Sequence, residues 1–195
     1  MIDLIKKYAV TIKGITPIRQ HKRPEEEVPK FGGRKPTDEE ALKLFNAHRY
    51  YEKGIGYYQP SSQVKKALVL AAHRISVPGE GRSKFSKYVS SSILIEPDLL
   101  KHKIQGKTNV RSIGHWTTNV SRGMQMQVWC VKPQIDKWEL DFEITNLQPE
   151  VITDGYLKKF LEYAGMFCGL GADRPERGKN FGRFEVKSFK LLKTK

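Results

Sequence analysis

The chain has 195 residues, with 35 Lys and Arg against 21 Asp and Glu, for a formal charge of +14. At 38% hydrophobic and 10% aromatic residues it is too apolar for a disordered basic tail, and its length suits one domain with a real core. No apolar run approaches the roughly 18 residues of a membrane span, the N-terminus lacks a signal-peptide pattern, and Cys130 and Cys168 are too few for a disulfide framework or a four-thiolate zinc site. A cytoplasmic globular protein that favours polyanions is expected.

In chain order, residues 8–15 read as a strand, with Tyr8, Val10 and Ile12 on one face and Ala9, Thr11 and Lys13 on the other. Pro17 ends it. Residues 17–59 are broken by Pro29, Gly32, Gly33 and Pro36 and read as an insertion. Within it, Thr37-Asp38-Glu39-Glu40 is a capping-box pattern that opens a short helix to about Arg49. Residues 61–75 form an amphipathic helix, because Val64, Ala67, Leu68, Ala71 and Ile75 recur at three- and four-residue steps. Residues 76–123 look irregular apart from a strand at 91–96 and make a second insertion.

The last third is more regular. Residues 125–132 read as a strand, 133–137 as a tight connection and 138–146 as its hairpin partner. In that partner Trp138, Leu140, Phe142 and Ile144 face one way, and Glu139, Asp141, Glu143 and Thr145 the other. Thr153 or Asp154 caps a helix whose core stripe is Leu157, Phe160, Leu161, Ala164 and Phe167, and Gly169 and Gly171 stop it. The final strand, 183–192, changes phase near Lys187-Ser188, which predicts a bulge. Setting the insertions aside leaves β-α-β-β-α-β, an α+β fold of ferredoxin-like or RRM type in a single domain over 1–195.

The charge is uneven. Residues 60–126 hold 11 basic and 3 acidic side chains, so +8 of the +14 lies in the middle third. No carboxylate lies between Asp98 and Asp136, while Lys101, Lys103, Lys107, Arg111, Arg122 and Lys132 punctuate that stretch around Trp116. Cations that displace counterions, hydroxyls for phosphate oxygens and an aromatic stacking face together suit a nucleic acid. The open face of the sheet instead carries Glu139, Asp141 and Glu143, which repel phosphate. As alternate strand carboxylates they read as a wet face rather than a metal site.

A second candidate is the glycine-rich stretch 169–183, with four glycines, Arg174, Arg177, Lys179, Arg183 and Phe181. Either its glycines let backbone N–H groups approach phosphate, or they only terminate a helix and start a strand. It is not a P-loop, since no Gly-Lys-Ser/Thr follows at the right distance. Five histidines (His21, His48, His73, His102, His115) make no zinc pattern. His21 beside Lys22 and Arg23, or His115 beside Trp116, is the candidate general base if the chain cleaves RNA.

Two segments carry a family resemblance. Tyr57-Tyr58-Gln59-Pro60-Ser61-Ser62-Gln63-Val64-Lys65-Lys66-Ala67-Leu68 resembles the strand-to-helix junction of the RAMP superfamily, the Cas7-like CRISPR proteins. The glycine-rich stretch before Gly182-Arg183-Phe184-Glu185-Val186 is similar to the superfamily's loop before its last strand. Residues 8–17 fit its first strand, and Glu162-Tyr163-Ala164-Gly165 fits a helix end of small phage-encoded members. Ser61 stands in place of a glycine, and Lys66 where glycine often follows the first lysine.

The resemblance implies an RRM-like palm with finger- or thumb-like insertions that binds single-stranded nucleic acid and stacks side by side into a filament. By position it implies Ser61, Ser62, Lys65, Lys66, Arg174, Arg177, Lys179 and Arg183 near phosphates. Lys101, Lys103, Lys107, Arg111 and Arg122 add charge, and Trp116 or Phe181 a stacking face. The function expected is sequence-independent, non-enzymatic binding of single-stranded DNA or RNA by a homo-oligomer in a phage or CRISPR setting, without cofactor, metal or membrane. The alternatives are a Cas6-like metal-independent endoribonuclease and a structural or decoy mimic of Cas7.

Overall fold

The computed structural model describes residues 5–24, 33–104, 109–121 and 124–192. A four-stranded antiparallel sheet is built from β1 (Lys6–Gly14), β5 (Ile93–Glu96), β9 (Glu139–Asn146) and β10 (Phe184–Leu192), in the order β10-β1-β9-β5. With α2 (Ser61–Ala72) after the first strand and α4 (Asp154–Tyr163) after the third, the chain is α+β with a ferredoxin-like succession. Both helices lie on one side of the sheet. Tyr8, Val10, Ile12, Leu140, Phe142 and Ile144 meet Val64, Leu68, Leu157, Phe160 and Leu161 in one buried core.

Several local expectations hold. Thr37 and Glu40 make a reciprocal capping box at the start of α1 (Asp38–His48). The Thr153 hydroxyl accepts from the Tyr156 N–H at the start of α4. Thr11 pairs with Ser188 and Ile12 with Val186, so Lys187 is the bulged residue that turns the phase of the last strand.

The second core strand is not the one expected. Residues 93–96, assigned to the second insertion, complete the sheet, with Ile93 and Ile95 buried and Leu94 and Glu96 exposed. Residues 125–132 do not pair with 138–146, and 133–137 is not a tight connection. The strand continues through Pro133 as β8 (Met124–Ile135) and pairs along its whole length with β7 (Val110–Ser121), a stretch expected to be irregular. Gly114 hides the β-branched content of β7, and it is required there because the Trp129 ring fills the place of a side chain. Pro133 has no N–H to give to the ladder, and its carbonyl accepts the Gln20 N–H at 2.8 Å. The hairpin is joined by β2 (Ile18–Arg19), and α1 packs on it through Leu44 against Val131 and Trp129. A small third sheet holds β3 (Tyr51–Glu52), β4 (Gly56–Pro60) and β6 (Leu99–Lys101); the described part of 76–123 also contains α3 (Ser86–Ser92).

One further correction concerns the second core helix. After Tyr163 the backbone widens into a π-turn, Ala164–Cys168. Cys168, four residues after Ala164, stays buried at 1% exposure, whereas the wider turn swings Phe167, expected in the core, out to 42% exposure. No helix among the described residues is long and apolar enough to cross a membrane.

Candidate nucleic-acid interface

The glycine-rich loop folds back against the start of α2, the strand β2 and the β7–β8 hairpin, and the space between them is a cleft of ≈ 730 Å³. Lys132, Arg174 and Arg177 line it with Thr117, Thr118 and Trp129, and His21 and His48 close one side. A smaller hollow of ≈ 210 Å³ shares Gln63, Gly171, Arg174 and Arg177 with the cleft and adds Lys66 and Leu70. Junction helix and glycine loop, 108 residues apart in sequence at Gln63 and Gly171, are thus two walls of one site; the Gly171 N–H donates to Gln63 Oε1 at 3.3 Å.

The glycines are there for packing. The N–H groups of Gly169, Gly178 and Gly182 donate to the carbonyls of Ala164, Pro175 and Pro17, and that of Gly171 to Gln63. All four have positive φ, between +67° and +74°. A side chain at Gly182 would strike the Leu170 carbonyl, and one at Gly171 the Arg19 carbonyl. The N–H groups of these glycines are therefore spent inside the protein, and charge in the cleft comes from side chains.

Those side chains are held unequally. Asp173, a non-glycine residue at φ +55°, accepts from Lys132 at 2.8 Å and Arg19 at 3.2 Å. The three form a largely buried triad with one net positive charge. Both cations hold the Asp173 carboxyl below its ordinary range, against the upward push of its burial. The Arg19 guanidinium covers the Phe181 ring at 3.7 Å, so that ring has one face already taken. Arg174 is paired with Glu176 at 2.7 Å and donates to the Gly171 carbonyl at 3.0 Å, which makes it a clasp of the loop. Arg183 donates to the Met166 carbonyl. Arg177 and Lys179 are exposed and make no ion pair with a described residue.

On the other wall, Ser61 is buried, and its N–H donates to the Asp98 carbonyl at 2.8 Å. Ser62 and Lys66 are exposed. Lys65 turns inward to the Ile93 carbonyl, and burial lowers its pKa. Lys101 and Lys103 border a separate hollow near Gly54 and Tyr57. Lys103 is bound to Glu139 and Asp141, and Arg111 to Asp136 at 2.8 Å. Trp116 is 41% exposed on the hairpin, edge-on to Trp129 at 5.2 Å; it does not line the cleft, and Trp129 does. Lys107 and Arg122 lie outside the described residues.

The His21 and His48 rings stack at 4.3 Å. Burial first, then the facing ring and Lys132, depresses His48 to about 4; burial and Lys132 lower His21 as well. Both imidazoles are neutral at pH 7. Lys132, Trp129, Gln63 and His48 were not singled out as site residues by the sequence, which offered His21 only as a candidate general base. The signals available were that Lys132 sits in the acid-free stretch and Gln63 in the junction motif. No group of three or more metal-ligating side chains occurs among the described residues.

No family model matches the chain, and no curated protein sequence matches it. Among solved structures, a chain from the cryo-EM structure of the Type III-B Cmr-beta bound to cognate target RNA is similar in shape, with a TM-score of 0.49 and 13% sequence identity. The match covers 97% of this chain and 61% of that one, so this chain spans about three fifths of its length.

Proposed function

We propose that this protein binds single-stranded nucleic acid along its backbone, without sequence preference, and oligomerises along the strand. The observation that carries the reading is that the cleft and the small hollow beside it share Arg177 and bring it together with Lys66 and with the Arg19–Asp173–Lys132 triad, which keeps one net positive charge. Clustered cations release condensed counterions when phosphates replace them, while Thr117 and Thr118 offer hydroxyls and Trp129 an apolar surface. The resemblance of the junction at 57–68 to Cas7-like RAMP proteins supports the same reading and suggests a phage or CRISPR setting. DNA and RNA meet the same contacts, since none of these groups selects a 2′-hydroxyl.

The test is a salt titration with oligonucleotides of about 30 nucleotides. Three neutralised phosphates give a slope of log affinity on log salt of about −2 or steeper for a single strand. A flat response, or no binding at about 50 mM salt, refutes the reading. RNA incubated in EDTA should stay intact; a 2′,3′-cyclic phosphate end would instead favour the metal-independent ribonuclease, with the His21–His48 stack as its first suspect. Light scattering on strands of increasing length should show mass rising in whole-protomer steps.

A further inference from the structure

The π-turn after α4 carries the next step. Without it, the periodicity of the helix would bury Phe167; with it, the ring stands at the surface beside Met166, itself 57% exposed. Exposing two large apolar side chains is unfavourable in a monomer, and a π-turn is itself a rare geometry that concentrates at functional positions. The surroundings indicate what the ring receives. The Arg74 guanidinium lies over one face of the Phe167 ring, 5.6 Å from its centroid and more loosely than Arg19 lies over Phe181 at 3.7 Å; Tyr163 meets the ring edge-on at 5.5 Å, and Lys159 lies over the Tyr163 ring at 5.6 Å. The neighbouring loop carboxylate, Glu176, is engaged by Arg174.

A path joins this platform to the cleft. Lys66 and Leu70 lie one turn apart on α2, and Arg74 follows in the tight turn that ends the helix, its N–H donating to the Ala71 carbonyl at 3.1 Å. Lys66 and Leu70 line the small hollow shared with Arg174 and Arg177, and Arg74 stands beside Phe167. We infer that a single strand leaving the cleft follows this path and stacks a base on Phe167, with Arg74 held against its phosphate. An aromatic ring flanked by cations suits a base and its phosphate together, whereas an apolar protein surface would leave the cations without partners. The inference rests on the nucleic-acid-binding reading and adds to it a base contact at Phe167, outside the cleft.

The experiment compares wild type, Phe167→Ala and Phe167→Trp on a 30-nucleotide strand and on an abasic strand of equal length. Phe167→Ala should weaken binding of the normal strand by about 5- to 100-fold, the range of one base–aromatic stack, with the salt slope unchanged. Phe167→Trp should restore affinity, and its fluorescence should be quenched by the normal strand more than by the abasic one. On the abasic strand wild type and Phe167→Ala should be equal. Equal affinity on the normal strand, or an equal loss on both strands, overturns the platform while leaving the cleft reading intact. Failure of the wild type to bind any strand removes the cleft reading, and the platform with it.

Discussion

The molecule has two hollows of the same volume and opposite character. The open face of the main sheet has one of ≈ 730 Å³ in which Glu96, Asp98, Asp141 and Glu143 face a single Lys190. The cleft behind the glycine loop, also ≈ 730 Å³, has Lys132, Arg174 and Arg177 against Asp173. Volume does not separate them; the sign and the engagement of their charges do. On the sheet, Lys103 and Lys187 are tied to Glu139, and Lys103 also to Asp141. In cross-strand register, Glu96 lies directly opposite Glu143, an unfavourable like-charge pair. A ferredoxin-like sheet that binds nucleic acid on its face needs the reverse pattern, so here the fold's open face is the wrong surface for a polyanion.

The sharpest way to break this contrast is charge reversal on each side. Lys66→Glu with Arg177→Glu should lower affinity for a 30-nucleotide strand by about 100-fold or more near 100 mM salt, because two attractive contacts become repulsive. Glu96→Lys with Glu143→Lys should change it by less than about threefold. A large gain from the sheet pair, or no loss from the cleft pair, would mean that the two hollows have been assigned the wrong way round.

Backbone strain gives the next effect. Gly182→Ala forces a side chain into the Leu170 carbonyl at φ +74°, so a loss of about 2–4 kcal/mol in urea unfolding is expected, or roughly 5–15 °C in Tm. Wild-type stability would show that the loop moves freely, and the cleft wall would then not be preformed.

Acid stability follows from a histidine outside both hollows. His102 is fully enclosed beside Gln59 and Trp138, and burial holds its pKa down to about 3, against an ordinary 6.5. The unfolded chain therefore binds more protons than the folded one below pH 6.5, so stability falls as pH drops from about 6.5 towards 3. Near pH 5 the loss is about 2 kcal/mol from this residue. His102→Gln should make that limb less steep by one histidine's share, His48, held down to about 4, supplying a similar one; an unchanged pH dependence would show that other groups set it.

The smallest effect is also informative. Lys103→Ala and Arg111→Ala should each change affinity by less than about twofold, since both cations are bound to carboxylates. A tenfold loss from either would return the positive stretch 101–122 to the interface.

Legibility was uneven for physical reasons. Elements with a strong period could be read, such as the strand around Tyr8, the α2 stripe and the bulge at Lys187, because burial of one face imposes the repeat. The acids of Glu139, Asp141 and Glu143 were correctly placed on the open face for the same reason. Strand partnership could not be read, since β5 and β8 are both plausible second strands by pattern, and only competition for the edge of β9 decides between them. Lys65, Arg174 and Arg111 have the composition of phosphate contacts, but each found an acceptor within the protein. Phe167 kept the helical period and left the core through one widened turn.

Sequence alone therefore determined the charge total, the α+β class with its β-α-β-β-α-β succession and the segments where cations concentrate. Those follow from residue type and local periodicity, which need no knowledge of distant neighbours. Tertiary structure decided which cations remain available, which glycines are packing devices and where the walls of the cleft meet. Each of these depends on contacts between residues far apart in the chain, such as Gln63 with Gly171 or Lys132 with Asp173.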